Sequence, residues 1–218
     1  MKADFWHARW EAGEIGWHRD EVNTHLEVQW PRLGAPAGTP VFVPLCGKSV
    51  DLCWLRSAGH PVVGVEVSPR AVADFYREQG LEPQVENRDG LERWEADGVV
   101  IWCADFFDLT PAHLGAVGAV YDRASLVALP PVMRERYAAH MKALLPPAAR
   151  ILLLTLDYPQ GQMDGPPFSV SGEEVTRLYG DAYAVETLYE EDALPDHPGL
   201  RGRGVRRLSE RVYRLAPR

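Results

Sequence analysis

The sequence predicts an α/β fold, a doubly wound and mostly parallel sheet of seven strands behind a helical N-terminal segment. Short β-rich apolar runs alternate with stretches of helical period, the rhythm of a parallel sheet. Glycine or proline punctuates most of the junctions between them. No repeat, low-complexity tract or composition break divides residues 1–218, so one domain accounts for the chain, with residues 1–34 as a helical cap and 41–218 as the core.

Ala3 to Trp30 reads as helix, its stripe of Phe5, Trp6, Trp10, Leu26 and Trp30 interrupted at Gly13 and at Gly16-Trp-His18. Gly34 to Pro40 is a loop. Val41 to Leu45 is a buried strand, Ser49 to Ala58 a helix stopped by Gly59, and Val62 to Glu66 a second strand. Pro69 opens a helix that runs to Gln79, with Gly80 as its stop. Val99–Cys103 and Val117–Tyr121 are strands, followed by a helix from Pro130-Pro131 to Leu145 and the strand Arg150 to Leu156. Ser171-Gly-Glu-Glu174 has the form of a capping box and opens a helix to Tyr179. Tyr183–Tyr189 and Val205–Leu215 complete the seven strands.

The composition, 46% hydrophobic and 25% charged, is that of a globular chain. A net charge of -8 excludes nucleic acid as the principal partner, since phosphate binders need clustered cations. The arginines at 201, 203, 206, 207, 211, 214 and 218 read as a solvated strand face rather than an anion site. No apolar run approaches the roughly 20 residues of a membrane span, and the N-terminus lacks a signal peptide's apolar core, so a cytoplasmic protein is expected. Cys46, Cys53 and Cys103 form neither a disulfide framework nor a zinc spacing. No metal site is expected.

Doubly wound sheets bind ligands beyond the carboxyl ends of their strands. The first strand here ends in the tight loop Leu45-Cys-Gly-Lys-Ser49, and the second ends in Glu66, about 20 residues on, where dinucleotide folds place an acid against the ribose diol. A carboxylate suits that task because it accepts two hydrogen bonds; the alternative is a plain strand cap. A P-loop would need glycine where Phe42 stands, and GxGxxG is absent. A loop with the single Gly47 suits a cofactor without phosphate, and S-adenosylmethionine is one. Tyr121-Asp-Arg123 ends the fourth strand, where Arg123 can hold an anionic or thiolate substrate or pair with Asp122 or Asp105.

Phe5-Trp-x-x-x-Trp10, Gly16-Trp-His18, Val43-Pro-Leu-Cys-Gly-Lys-Ser-Val-Asp-Leu52, Gly59-His60, Gly64-Val-Glu66, Tyr121-Asp-Arg123 and Gly165-Pro-Pro-Phe168 follow one another over nearly the whole chain. In this order they resemble the thiopurine S-methyltransferases. The resemblance implies a class I, Rossmann-like methyltransferase fold whose final strand pairs antiparallel, with the N-terminal helices closing as a lid over S-adenosylmethionine. It implies that Trp10 packs beside the methionine part, Leu45 gives backbone contacts and Glu66 binds the ribose. Asp105 and Phe106 would flank the adenine, and Arg123 would lie near cofactor and substrate alike. Trp17 and His18 belong to the lid. A flat acceptor stacks well on Trp17, and His18 is either a helix cap or a proton acceptor. Trp6 and Trp30 read as core, Cys46 as packing, and neither Arg201 nor Arg203 is assigned to the substrate.

The implied reaction is methylation of an aromatic or heterocyclic thiol by in-line displacement, which needs alignment more than acid catalysis. Oxyanions of selenium or tellurium are the alternative acceptors, as metalloid substrates, and a binding module without turnover is a further one. No heptad or repeat demands a partner chain, so a monomer is expected.

Overall fold

Strand formation follows the apolar runs at the centre of the sheet and turn chemistry at its edge. In the computed structural model, which describes residues 3–218, the strands are β1 (Val41–Val43), β2 (Val62–Glu66), β3 (Gln84–Arg88), β4 (Leu91–Ala96), β5 (Val99–Cys103), β6 (Ala119–Arg123), β7 (Arg150–Asp157), β8 (Tyr183–Asp192) and β9 (Ser209–Pro217). They form one sheet in the order β3-β4-β5-β2-β1-β6-β7-β9-β8. From β5 to β7 every pairing is parallel. β9 runs antiparallel to β7 and to β8, as expected of the final strand.

The described sheet has nine strands, not seven. The additional pair, β3 and β4, pairs antiparallel and continues antiparallel into β5. β3 is exposed at every position and half of β4 is charged (Glu92, Arg93 and Glu95), so neither carries the buried apolar run that marks the central strands. Their signal is in the turns. Asp89-Gly90 and Asp97-Gly98 all take positive φ, the two-residue left-handed turn that matches the twist of a hairpin.

The helices are α1 (Ala3–Ala12), α2 (Thr24–Leu33), α3 (Asp51–Ser57), α4 (Pro69–Glu78), α5 (Pro111–Leu114), α6 (Pro131–Leu144), α7 (Gly172–Tyr179) and α8 (Pro198–Gly202). The short α5 and α8 carry no period long enough to read. Side chains alternate across the central strands, so each face has its own core. Phe42, Val120 and Leu153 pack against α6 and α7. Val41, Tyr121, Leu152 and Leu154 pack against α2, α3 and α4. Of the expected capping box at α7 only half forms. Ser171 Oγ accepts from Glu174 N (3.2 Å), while the Glu174 carboxylate accepts from Arg134 Nη1 (2.8 Å) instead. No described helix is long and apolar enough to cross a membrane.

Candidate active site

β1 and β6 are parallel neighbours, yet the helices that follow them, α3 and α6, pack on opposite faces of the sheet. A cleft therefore opens where the two chains part, beyond the carboxyl ends of the strands. The backbone there is strained. Leu45 and Ala124 hold φ of 45° and 64°, left-handed values that side-chain-bearing residues rarely adopt and that concentrate at functional sites. Gly47 (φ 54°) is needed twice over, because a Cβ added to it would lie 3.1 Å from the Trp10 ring. The cavity at this point measures about 900 Å³, within the range of sites that bury a small ligand. Trp10, Trp17 and His18 of the N-terminal segment and Leu45, Glu66, Asp105, Phe106 and Arg123 of the strand ends all line it.

Glu66 is buried at 6% exposure. Its Oε2 accepts from Gly47 N (3.0 Å) and its Oε1 from Ser68 N (2.8 Å), so it ties the β1 loop to the start of α4. Burial pushes its carboxyl above the usual range, opposed by those backbone N–H groups. A carboxylate oxygen has more than one acceptor position, so the clamp leaves capacity for a ligand diol. Lys48, in the same loop, is spent on both oxygens of Glu78 at 2.8 Å. A loop with its lysine engaged and a buried carboxylate beneath it disfavours a phosphate and fits an uncharged ribose.

Asp105 Oδ1 accepts from Phe107 N (2.9 Å), capping one turn of 3-10 helix. Phe106, in that turn, is 5% exposed with its ring centroid 4.6 Å from that of Tyr137, so it serves the core and the cavity wall together. Trp17 stands edge-on between Trp6 (5.4 Å) and Trp10 (6.0 Å). Trp6, expected in the core, is half-buried on the cavity wall. Trp30 is core as expected and donates to His60 Nε2 (3.1 Å). His18 Nε2 lies 3.2 Å from Asp20, and its pKa is lowered by burial and by Lys48.

Arg123 pairs with neither Asp122 nor Asp105. Successive strand residues face opposite ways, so Asp122 points to the other core. It accepts there from Tyr137 Oη (2.8 Å), and burial pushes its carboxyl up to about 6. The partner of Arg123 is Asp51, at 3.9 Å and 2% side-chain exposure, which also accepts from Tyr121 Oη (3.0 Å) and Asn23 N (2.8 Å). Asp51 thus joins the entry to α2, the start of α3 and the cavity arginine. Asp51 belongs to the distinctive run of residues 43–52, but no spacing in the sequence marks its partners.

Arg19, His197, Arg203 and Glu210 also line the cavity. They come from loops and a strand end far apart in sequence, and no local pattern marks them. Arg203, rather than Arg201, is the C-terminal arginine on the wall, and it donates to Pro166 O (2.8 Å). Of the other C-terminal arginines, Arg211 pairs with Asp157 and Glu190, and Arg214 with Glu186. Cys46 is buried and its thiol is pushed well up by burial, which leaves it a packing residue.

The family profile described as thiopurine S-methyltransferase matches residues 1–218. A thiopurine S-methyltransferase of Pseudomonas fluorescens is 53% identical over 215 residues, 99% of either chain. One from Nitrosospira multiformis is 49% identical over 218 residues, covering 100% of this chain and 99% of the relative. Among solved structures, an S-adenosylmethionine-dependent methyltransferase from Anabaena variabilis superposes with a TM-score of 0.65 at 16% identity, covering 99% of this chain and 95% of the other. The 1,6-didemethyltoxoflavin-N1-methyltransferase of Burkholderia thailandensis, solved with bound 1,6-didemethyltoxoflavin and S-adenosylhomocysteine, gives a TM-score of 0.64 at 16% identity over 98% of this chain and 87% of the other. At those identities the likeness is one of fold.

Proposed function

Because the chain belongs to the thiopurine S-methyltransferase family, we propose that its S-adenosylmethionine-dependent methyl transfer is directed at aromatic and heterocyclic thiols. The observation that supports this reading is the composition of one cavity wall: a buried carboxylate, Glu66, on β2 and a shielded arginine, Arg123, on β6, with tryptophan rings beside them. With only β1 between those strands, the two groups sit roughly 10 Å apart across the sheet by strand spacing. That leaves room for a cofactor and an acceptor side by side.

When bound, the cofactor supplies a methyl group on a cationic sulfur. Glu66 would hold its ribose diol, Asp105 and Phe106 would flank its adenine, and Trp10 with the Leu45 backbone would meet its amino-acid tail. Trp17 and His18, in the lid, cover the acceptor, and the Trp17 ring offers a flat aromatic ligand a stacking face. Arg123 keeps its charge and donates in a fork, so it favours the thiolate over the thiol. The proton leaves to His18 or to a carboxylate at the wall. Most of the acceleration then comes from fixed alignment of the acceptor sulfur and the methyl carbon, with water excluded by the lid.

The test is a competition assay with labelled methyl donor, setting aromatic thiols against selenite and tellurite and collecting volatile products. Thioethers are the expected products. Methylated selenium or tellurium species without any thioether would overturn the thiol assignment.

A further inference from the structure

We propose that Glu210 is the group that accepts the proton of the acceptor thiol, an inference that rests on the thiol reading above. β9 lies beside β7 with Glu210 opposite Leu156, and β7 lies beside β6 with Leu154 opposite Arg123. Residues paired across strands share a face, as do residues two apart. Arg123 and Glu210 therefore both project to the α2 side at the carboxyl edge of the sheet, and both line the same cavity.

The Glu210 side chain is 17% exposed, and its carboxylate accepts no hydrogen bond from the described residues. The nearest basic side chain, His25, has its Nε2 at 3.8 Å and lies closer to Glu191, at 2.9 Å. The other shielded carboxylates of the wall are already used, Glu66 by two backbone N–H groups and Asp51 by Asn23 N and Tyr121 Oη. Glu210 is thus a part-buried carboxylate whose acceptor positions stay open to the cavity and to whatever donor a ligand brings there.

The titratable and charged groups facing it are His25 from α2, Arg19 from the loop before α2, Arg123 from β6 and Glu191 from β8. Burial holds the Glu210 carboxyl above the ordinary range, with Glu191 adding to the rise and His25, Arg123 and Arg19 opposing it. A carboxylate so placed is a stronger base than one in water. His18, by contrast, lies against Asp20, and the charges that act on it most are those of Lys48, Asp20 and Glu78. Arg123 is among the charges that act on Glu210, and only β7 separates their strands, so a thiolate held by Arg123 would form in the space the two share.

In the step, the S–H bond breaks, an O–H bond forms on Glu210, and the electron pair stays on the acceptor sulfur next to Arg123. That pair would then take the methyl group that the bound cofactor supplies, the cofactor leaving as its neutral thioether. Glu210 returns its proton to solvent.

The experiment compares wild type, Glu210→Gln and Glu210→Asp on a series of thiophenols of graded acidity, with donor affinity followed by tryptophan fluorescence and folding by thermal melts. For Glu210→Gln the expected loss is about 100-fold in kcat on the least acidic thiols and small on those already ionised in solution, with donor affinity unchanged. Glu210→Asp, which keeps the base, is expected to retain the shallow acidity dependence of the wild type at a lower rate. A loss uniform across the series, no loss at all, or an acidity-dependent loss found in His18→Gln instead would overturn the assignment of Glu210 alone. Wild-type protein that methylates none of these thiols would overturn the thiol reading, and this inference with it.

Discussion

At the scale of single residues, the site is built on positions where an ordinary side chain or an ordinary backbone conformation would fail. Gly47 holds a left-handed turn against the Trp10 ring, and its N–H is delivered to Glu66 by that turn. Leu45 accepts a positive φ that costs on the order of 1 kcal/mol, which the surrounding loop must offset. Glu66 is the residue on which ribose binding and loop geometry coincide. In Glu66→Gln one amide nitrogen would face either the Gly47 or the Ser68 N–H, replacing an acceptor by a donor. A charge-assisted bond is worth roughly 1.5–3 kcal/mol, so donor affinity should fall on the order of 10- to 100-fold. Calorimetry of donor binding checks this, and an unchanged affinity would remove Glu66 from the ribose site. Glu66 was legible because it ends a β-rich run at the familiar distance from the first loop. The partner of Arg123 was not, since Asp51 lies far from it in sequence and comes near only through the pairing of β1 with β6.

At the scale of an element, β6 shows how a strand of five residues serves two sides at once. Tyr121 and Arg123 face the cavity side with Asp51, while Asp122 faces the opposite core, fully buried, with Tyr137. The Asp122 carboxyl is pushed up to about 6 by burial, above its unfolded value of about 4. The folded state therefore binds the proton more tightly. Its contribution to stability is complete below about pH 4 and is lost as the pH rises through about 6, a change of about 3 kcal/mol. Asp122→Asn keeps an acceptor for Tyr137 without the charge. Its stability relative to wild type should rise by up to that amount between about pH 4 and pH 7, as read by urea unfolding at both. Parallel stability curves for the two proteins would show that burial does not perturb Asp122. β3 and β4 show the opposite situation. Their polar sequences carry no burial signature, and only the paired Asp-Gly turns at 89–90 and 97–98 identify the hairpin.

At the scale of the whole molecule, the cavity wall draws on α1, on the loops after β1, β2, β5 and β6, and on the segment around α8 and β9. A ligand that bridges so many elements must stabilise all of them together. At a concentration one hundred times its Kd, the methyl donor should add about 2.7 kcal/mol, which for a chain of this length shifts Tm by roughly 5–10 °C. Scanning fluorimetry with the donor or its demethylated product measures this, and an unmoved Tm would exclude the cavity as its site. The α/β alternation, the tight loop after β1 and the carboxylate that ends β2 were determined by the sequence alone. Each is a local pattern of apolar runs and turn residues within about 25 positions, and local sterics are enough to write it. The convergence of Asp51, Arg123, Arg203 and Glu210 on one cavity was decided only by tertiary structure. Strand order and register set which distant side chains share a face, and polar residues that meet across the sheet leave no periodic mark in the chain that encodes them.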